Sequence, residues 1–151
     1  MSDAQLTAHF ALHEFLYSET AARMGLSIEP TDAQIANASR LARTILEPVR
    51  VELGRPLTII SGIRPLWLND AVGGSKTSAH IDGRAADVRV VGMSTPTFFR
   101  WLMNRSLPFD QVIEEFGQWV HIGIAKESEK PRGQFLIARK INGSTQYQEA
   151  A

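Results

Sequence analysis

Two histidines and one aspartate have the residue types and spacing that a hydrolytic zinc site needs. His80 and Asp87 are separated by a turn that contains Gly83, which lets both side chains point at one ion, and His121 follows later in the chain. A catalytic zinc ion takes three protein ligands and keeps one position open. Bound zinc lowers the pKa of water to about 7 and polarises a carbonyl group. Chance spacing produces the same pattern among surface or hydrogen-bonded structural residues, so that interpretation stays open here.

The composition excludes other kinds of site and partner. Cysteine is absent, so disulfides and thiolate ligands are ruled out and any metal must be held by His, Asp or Glu. The chain has 16 Lys and Arg against 16 Asp and Glu, and its formal net charge is zero. Domains that bind a duplex usually show a basic excess or a basic stripe, so we expect no nucleic-acid partner. The remaining histidines, His9 and His13, lie far from the motif and are interpreted as structural or exposed.

The sequence has no pattern that would direct the chain to a membrane. The first residues, MSDAQLTAHF, lack a basic segment followed by an apolar run, which a secretory signal requires. No stretch approaches the ~18 apolar residues of a membrane span. We therefore expect a protein that is made in the cytoplasm without a signal peptide and has no membrane partner.

The elements that must position these residues predict an α+β domain. Thr31 and Gln34 form a capping-box pattern at the start of a helix that ends at Gly54, and Pro48 should kink or break it. Further helices are predicted over residues 65–72 and 95–105, and strands over residues 56–62, 87–90 and 133–141, with a hairpin over 109–124. Helices and strands are segregated, which favours a small, largely antiparallel sheet flanked by helices.

The chain is predicted to form a single domain over residues 1–151. Its length is typical of one domain with a real core. Residues 1–30 are expected to be an arm that packs on the body, and residues 142–151 a polar, frayed tail. We expect a monomer.

The motifs resemble the zinc signature of peptidase family M15. This family includes D-alanyl-D-alanine carboxypeptidases, VanX-type dipeptidases and many phage endolysins. The resemblance covers residues 8–125, and its most specific parts are Ser61-Gly62-Ile63-Arg64, Ser78-x-His80-x-x-Gly83-x-Ala85-Ala86-Asp87 and Trp119-Val120-His121. It implies a fold like that of Hedgehog and the D-Ala-D-Ala peptidases, a Zn²⁺ cofactor bound by His80, Asp87 and His121, and a peptidoglycan stem peptide as substrate.

The resemblance also implies roles for residues around the metal. Arg64 would stabilise the oxyanion of the tetrahedral intermediate, for which a fixed guanidinium is suited. The alternative is a structural salt bridge at a strand end. Ser78 would offer its hydroxyl to substrate, unless it serves as a turn hydroxyl bonded to nearby backbone. Trp119 would form a wall of the cleft and contact substrate, although a tryptophan is more often part of a core.

The general base is the point at which the sequence departs from the family. Many members have a glutamate three residues before the second histidine, and here that residue is Gln118, whose amide cannot accept the proton of a water molecule. Strand alternation selects Glu115, because a turn centred on residues 116–118 places it on the face of His121, whereas Glu114 points away. A turn of different length would exchange the two faces.

Three functions are compatible with these residues. The first is a zinc peptidase, either a D-Ala-D-Ala carboxypeptidase or a murein endopeptidase. The second, which Gln118 favours, is a non-catalytic, metal-stabilised phage structural or wall-binding module on the same fold. The third is a dipeptidase outside wall metabolism. For the first, family habit and the missing signal indicate a phage or prophage product that acts on the cell wall after release.

Overall fold

One mixed sheet carries the residues singled out above. The computed structural model describes residues 4–150. The strands are β1 (Leu57–Ser61), β2 (Ala85–Val90), β3 (Gln111–Glu115), β4 (Trp119–Gly123), β5 (Gln134–Ile141) and β6 (Ser144–Glu149), in the order β1-β2-β4-β3-β5-β6. Every neighbouring pair is antiparallel except β3 and β5, which are parallel. The prediction of an α+β domain with a largely antiparallel sheet is confirmed.

The helices lie before and between the strands. They are α1 (Leu12–Phe15), α2 (Glu19–Arg23), α3 (Asp32–Leu41), α4 (Glu47–Leu53), α5 (Leu66–Ala71) and α6 (Thr95–Met103), with a 3-10 turn at Ala79–Asp82. Within residues 4–150, no helix is both long enough and apolar enough to cross a membrane.

The helical region after residue 31 begins as predicted but continues past its proline. Thr31 Oγ1 accepts from the backbone N of Gln34, whose side chain accepts from the backbone N of Thr31. Pro48 has no N–H, and its ring displaces the carbonyl one turn earlier. The chain responds with a π-helical turn at Ala42–Leu46 rather than a break, and α4 continues to Gly54, which has a φ of 67°.

Alternation along the strands gives the sheet two different faces. One face packs against the helices and forms the main core; its strand residues include Leu57, Ile59, Val88, Val112, Val120 and Ile122. The N-terminal arm joins this core through Phe10, Leu12 and Phe15. The other face, which we call the site face, carries Asp87, His121 and Glu115, because these residues alternate with the core residues.

The expectation of a frayed tail at residues 142–151 does not hold. Ser144–Glu149 forms β6, which pairs with β5 from Leu136 to Ile141. The turn between them is Asn142-Gly143, and both residues have positive φ, 52° and 78°. Asn-Gly is a strong signal for a tight hairpin, since such turns require positive φ at both central positions. The polar composition of this segment concealed that signal.

Candidate metal centre and cleft

Three secondary-structure elements bring the predicted ligands together. His80 lies in the 3-10 turn, Asp87 lies in β2, and His121 lies in β4 directly opposite Asp87 in the strand register. All three side chains are buried, with 1%, 4% and 8% of their residue surfaces exposed. Within the described part of the chain, they form a group that could hold a metal ion.

The ligand atoms form a nearly equilateral triangle. His80 Nε2, His121 Nδ1 and Asp87 Oδ1 are each 3.2 Å from the other two. In a tetrahedral zinc site with bonds of about 2.0–2.1 Å, neighbouring ligand atoms lie roughly 3.3 Å apart. The spacing and the two-nitrogen, one-oxygen donor set therefore fit a zinc ion.

A backbone carbonyl sets the tautomer of His80. His80 Nδ1 is 2.8 Å from the carbonyl oxygen of Gly62. A carbonyl only accepts, so Nδ1 carries the proton and the lone pair of Nε2 faces Asp87 and His121, which is the state that binds a metal. Gly62 itself is packed tightly, because a Cβ there would lie 2.6 Å from Cα of Phe15. The N-terminal arm thereby fixes the carbonyl that orients the histidine.

The start of α3 holds the turn that carries His80. Gln34 Nε2 donates to the carbonyl of Ile81 at 2.8 Å, and Asn37 Nδ2 donates to the carbonyl of Asp82 at 2.9 Å. The turn ends at Gly83, which has a φ of 84°, and a Cβ there would lie 2.5 Å from the carbonyl oxygen of Gln34. The contact therefore requires glycine.

Burial and charge shift the proton affinities of the ligands in opposite directions. Burial alone would raise the pKa of Asp87, but His80 and His121 lower it well below its usual range. Burial alone would lower the pKa of His121, whereas its hydrogen bond to Asp87 and the charge of that carboxylate raise it. Asp87 is therefore ionised, and a metal that binds here displaces a proton that His121 otherwise holds tightly.

Arg64 lies in the same cleft with unused hydrogen-bonding capacity. Its backbone N donates to the carbonyl of His80 at 2.8 Å, and its Nη2 is 3.5 Å from Ser78 Oγ. Its Nε is buried without a hydrogen-bond partner among residues 4–150. Burial lowers the pKa of Arg64, and the charges of Asp87 and Glu115 oppose this shift. The guanidinium is thus close to the acidic groups of the site and can receive an anion.

The Ser78 hydroxyl is hydrogen-bonded to the backbone of its own turn, which is the alternative role considered in the sequence analysis. Its Oγ accepts from the backbone N of His80 at 3.2 Å. The side chain also lines the cleft. Because both contacts of the oxygen are as an acceptor, its O–H proton can still be donated to a bound molecule.

The two candidate bases lie on opposite faces of β3. Glu115 is on the site face, opposite Trp119, whose indole Nε1 donates to Glu115 Oε1 at 2.7 Å. Burial and then the charge of Asp87 raise the pKa of Glu115. Glu114 is buried on the core face, where both of its oxygens accept from Arg139. Gln118 is exposed in the turn and does not line the cleft.

The cleft above these groups has a volume of about 650 Å³. Besides the predicted residues, it is lined by Gly73 and Gly74 after α5 and by Lys140, Thr145 and Tyr147 from β5 and β6. The sequence does not predict that Thr145 and Tyr147 line the cleft, because the segment that contains them is expected to be a polar tail. The Asn-Gly turn was the signal that could have found it.

The other two histidines lie outside the cleft. His9 is on the N-terminal arm, where its Nδ1 is 2.5 Å from Glu47 Oε2. His13 is exposed at α1. The structure therefore places His9 and His13 in structural or exposed positions, as interpreted from the sequence.

A comparison with known families adds one finding to this geometry. A family model described as Peptidase M15 matches residues 8–123. The match includes Arg64, His80, Asp87 and His121, and it ends before β5 and β6. No curated protein matches the chain.

Proposed function

Because the chain belongs to the Peptidase M15 family, we propose that it is a zinc-dependent peptidase that hydrolyses peptide bonds of bacterial peptidoglycan. The observation that carries this proposal is the triangle of His80, Asp87 and His121 atoms beside a partly buried carboxylate with a raised pKa, that of Glu115. The wall substrate is supported by the motifs that resemble D-alanyl-D-alanine carboxypeptidases and phage endolysins.

The ligands and their neighbours divide the chemistry among them. A zinc ion held by His80, Asp87 and His121 would supply a Lewis acid and would lower the pKa of a bound water molecule. Glu115 takes the proton of the attacking water and passes it to the leaving amine, for which a raised pKa is suited. Trp119 holds one oxygen of that carboxylate and leaves the other available.

Arg64 serves the oxyanion that develops at the scissile carbonyl. Its backbone N–H donates to the carbonyl of His80, and the buried Nε of its guanidinium has no partner among the described residues. A preorganised donor of this kind stabilises developing charge strongly when water is excluded. The hydroxyl of Ser78, next to Arg64, contributes a further donor to the substrate.

A non-catalytic wall-binding or phage structural module is the second candidate. The observation that favours it is Gln118, at the position where many members have glutamate. Glu115 can take the role of the missing glutamate, because it lies on the face of His121 and its carboxylate accepts a hydrogen bond from Trp119. We further propose that the protein acts as a monomer on the cell wall after release, as a phage or prophage product would.

Zinc content and murein hydrolysis together test the proposal. We expect purified wild type to bind about one zinc ion and to release D-alanine or split stem peptides from murein. His121→Ala should lose both metal and activity, since two ligands do not retain zinc. His9→Ala is the matched control and should keep both, because His9 pairs with Glu47 far from the cleft. Zinc binding by wild type without hydrolysis of murein or of D-Ala-D-Ala peptides would support the non-catalytic module instead.

A further inference from the structure

The site face carries a second apolar cluster that is separate from the main core. Ile113 and Leu136 are largely buried in it, Ala138 is fully buried, and Phe116 packs against them. Leu136 and Phe116 also line the cleft. The cleft therefore continues from the ligands across β3 onto β5, over an apolar floor.

One small residue separates Glu115 from Tyr147 across the site face. In the strand register Glu115 is opposite Ala138, and Ala138 is opposite Tyr147, so the three lie in one row across the site face. Strands are spaced about 4.8 Å apart, which puts the backbones of Glu115 and Tyr147 about 10 Å from each other. Ala138 is fully buried in the apolar cluster, so its methyl group lies below the surface of the cleft. Burial and then the charge of Glu115 raise the pKa of Tyr147, so its phenol keeps its proton and can donate it.

Lys140 brings a positive charge to this end of the cleft. Its Nζ is 5.9 Å from the centre of the Phe116 ring, and no carboxylate within residues 4–150 forms an ion pair with it. Two other cations that line the cleft are already paired, Arg84 with Asp82 and Arg132 with Asp110. Lys140 is therefore available to an anion from outside the chain.

We propose that Phe116, Leu136, Lys140 and Tyr147 form a substrate subsite that binds a carboxylate-bearing residue with an aliphatic stem. The inference rests on the proposed peptidase function. Leu136 and Phe116 contact the stem, and Lys140 with the hydroxyl of Tyr147 binds the carboxylate. An anion is favoured over a cation because both polar groups at the rim can donate hydrogen bonds, and one carries a positive charge. The carboxylate can be the C-terminus of the peptide or a side-chain carboxylate.

Most of the subsite lies on the C-terminal hairpin. The family match ends at residue 123, so Phe116 lies within it, whereas Leu136, Lys140 and Tyr147 lie beyond it. Glu149 also lies on this hairpin, opposite Leu136, but it lines a neighbouring recess with Arg132 rather than the cleft. The carboxylate whose charge acts on Tyr147 is Glu115, on the side of the ligands.

Matched peptides separate the two sources of carboxylate. The probes are the stem peptide L-Ala-γ-D-Glu-L-Lys-D-Ala-D-Ala and two analogues, one with the C-terminal carboxylate amidated and one with the α-carboxylate of D-Glu amidated. Dissociation constants are measured on the zinc-loaded Glu115→Gln protein, which holds the peptide without turning it over. We expect amidation at one of the two positions to weaken binding about five-fold, the size of an exposed charge pair. The position that responds identifies the source.

Variants assign that preference to the hairpin. Lys140→Met, in the same background, should remove the difference between acid and amide while keeping the aliphatic contact, and Tyr147→Phe should reduce it. Lys130→Met and Tyr17→Phe are matched controls that should leave it unchanged; Tyr17 is 55% exposed and Tyr147 57%. Equal binding of all three peptides, or a preference that survives Lys140→Met, would overturn the subsite. Acid-selective binding in a wild-type protein that hydrolyses no peptide would overturn the proposed function and leave the subsite standing.

Discussion

Two adjacent glutamates, one on each face of the sheet, have different hydrogen-bond and charge partners. On the core face, Glu114 is buried and both of its oxygens are bound by Arg139. On the site face, burial and then the negative charge of Asp87 raise the pKa of Glu115, and the hydrogen bond from Trp119 opposes this shift. A carboxylate whose charge is fully compensated contributes to structure. One whose charge is compensated only in part, and whose pKa is raised, is suited to exchanging a proton.

Replacing each glutamate with glutamine is the strongest test of the difference between Glu114 and Glu115. Glu115→Gln should lower kcat by about 10²–10⁴-fold, the range for loss of a general base, while zinc content stays near that of wild type. Glu114→Gln should retain kcat and instead lower the melting temperature, because Arg139 loses its partner. Steady-state hydrolysis of murein peptides and metal analysis measure both. Equal losses of kcat in the two variants would show that the faces do not differ in this way.

Removing the Trp119 donor tests whether its hydrogen bond to the Glu115 carboxylate affects catalysis. Trp119→Phe should lower kcat about ten-fold, since a hydrogen bond to a charged group is lost. That hydrogen bond lowers the pKa of Glu115, so its loss raises the pKa further, and the fall in kcat/KM on the acid side should move to higher pH. A pH profile from 5 to 9 reads this shift. Trp67→Phe, outside the cleft, should leave the profile in place, and a Trp119→Phe profile identical to wild type would assign Trp119 to packing alone.

The smallest effect is expected on the core face. Arg139→Met leaves Glu114 buried without its cation and should lower the free energy of unfolding by about 1 kcal/mol, a modest value because Arg139 is half-exposed. For a domain of this size the melting temperature should fall by about 2–4 °C, with kcat unchanged. The exposed pair of Arg23 and Glu19 provides the control, since Arg23→Met should have no measurable effect. A large loss of kcat in Arg139→Met would contradict the separation of the faces.

The site face was predictable wherever its geometry is local. The alternation of β3 and the turn after Glu115 place Glu115 with Trp119, and the structure has this register. The capping pattern of Thr31 and Gln34 is also read correctly, because both partners lie within one helical turn. In these cases the period of the element decides which side chains meet.

The rest of the cleft depends on pairings that no local pattern encodes. Tyr147 reaches the site only because β5 pairs in parallel with β3 and β6 then pairs with β5. Parallel pairing joins segments that are distant in sequence, and alternation does not say which strand lies beside which. The π-helical turn before Pro48 is similar, since the sequence indicates an interruption but not how the helix absorbs it.

Gln34 couples the stability of the metal centre to that of the N-terminal end of α3. One amide side chain caps the backbone of Thr31 and holds the carbonyl of Ile81, next to His80. When the first turn of α3 opens, the turn that carries His80 loses its support in the same event. The amides of both segments should therefore exchange with deuterium as one cooperative unit, and zinc bound at the other side of the contact should slow exchange at the beginning of the helix.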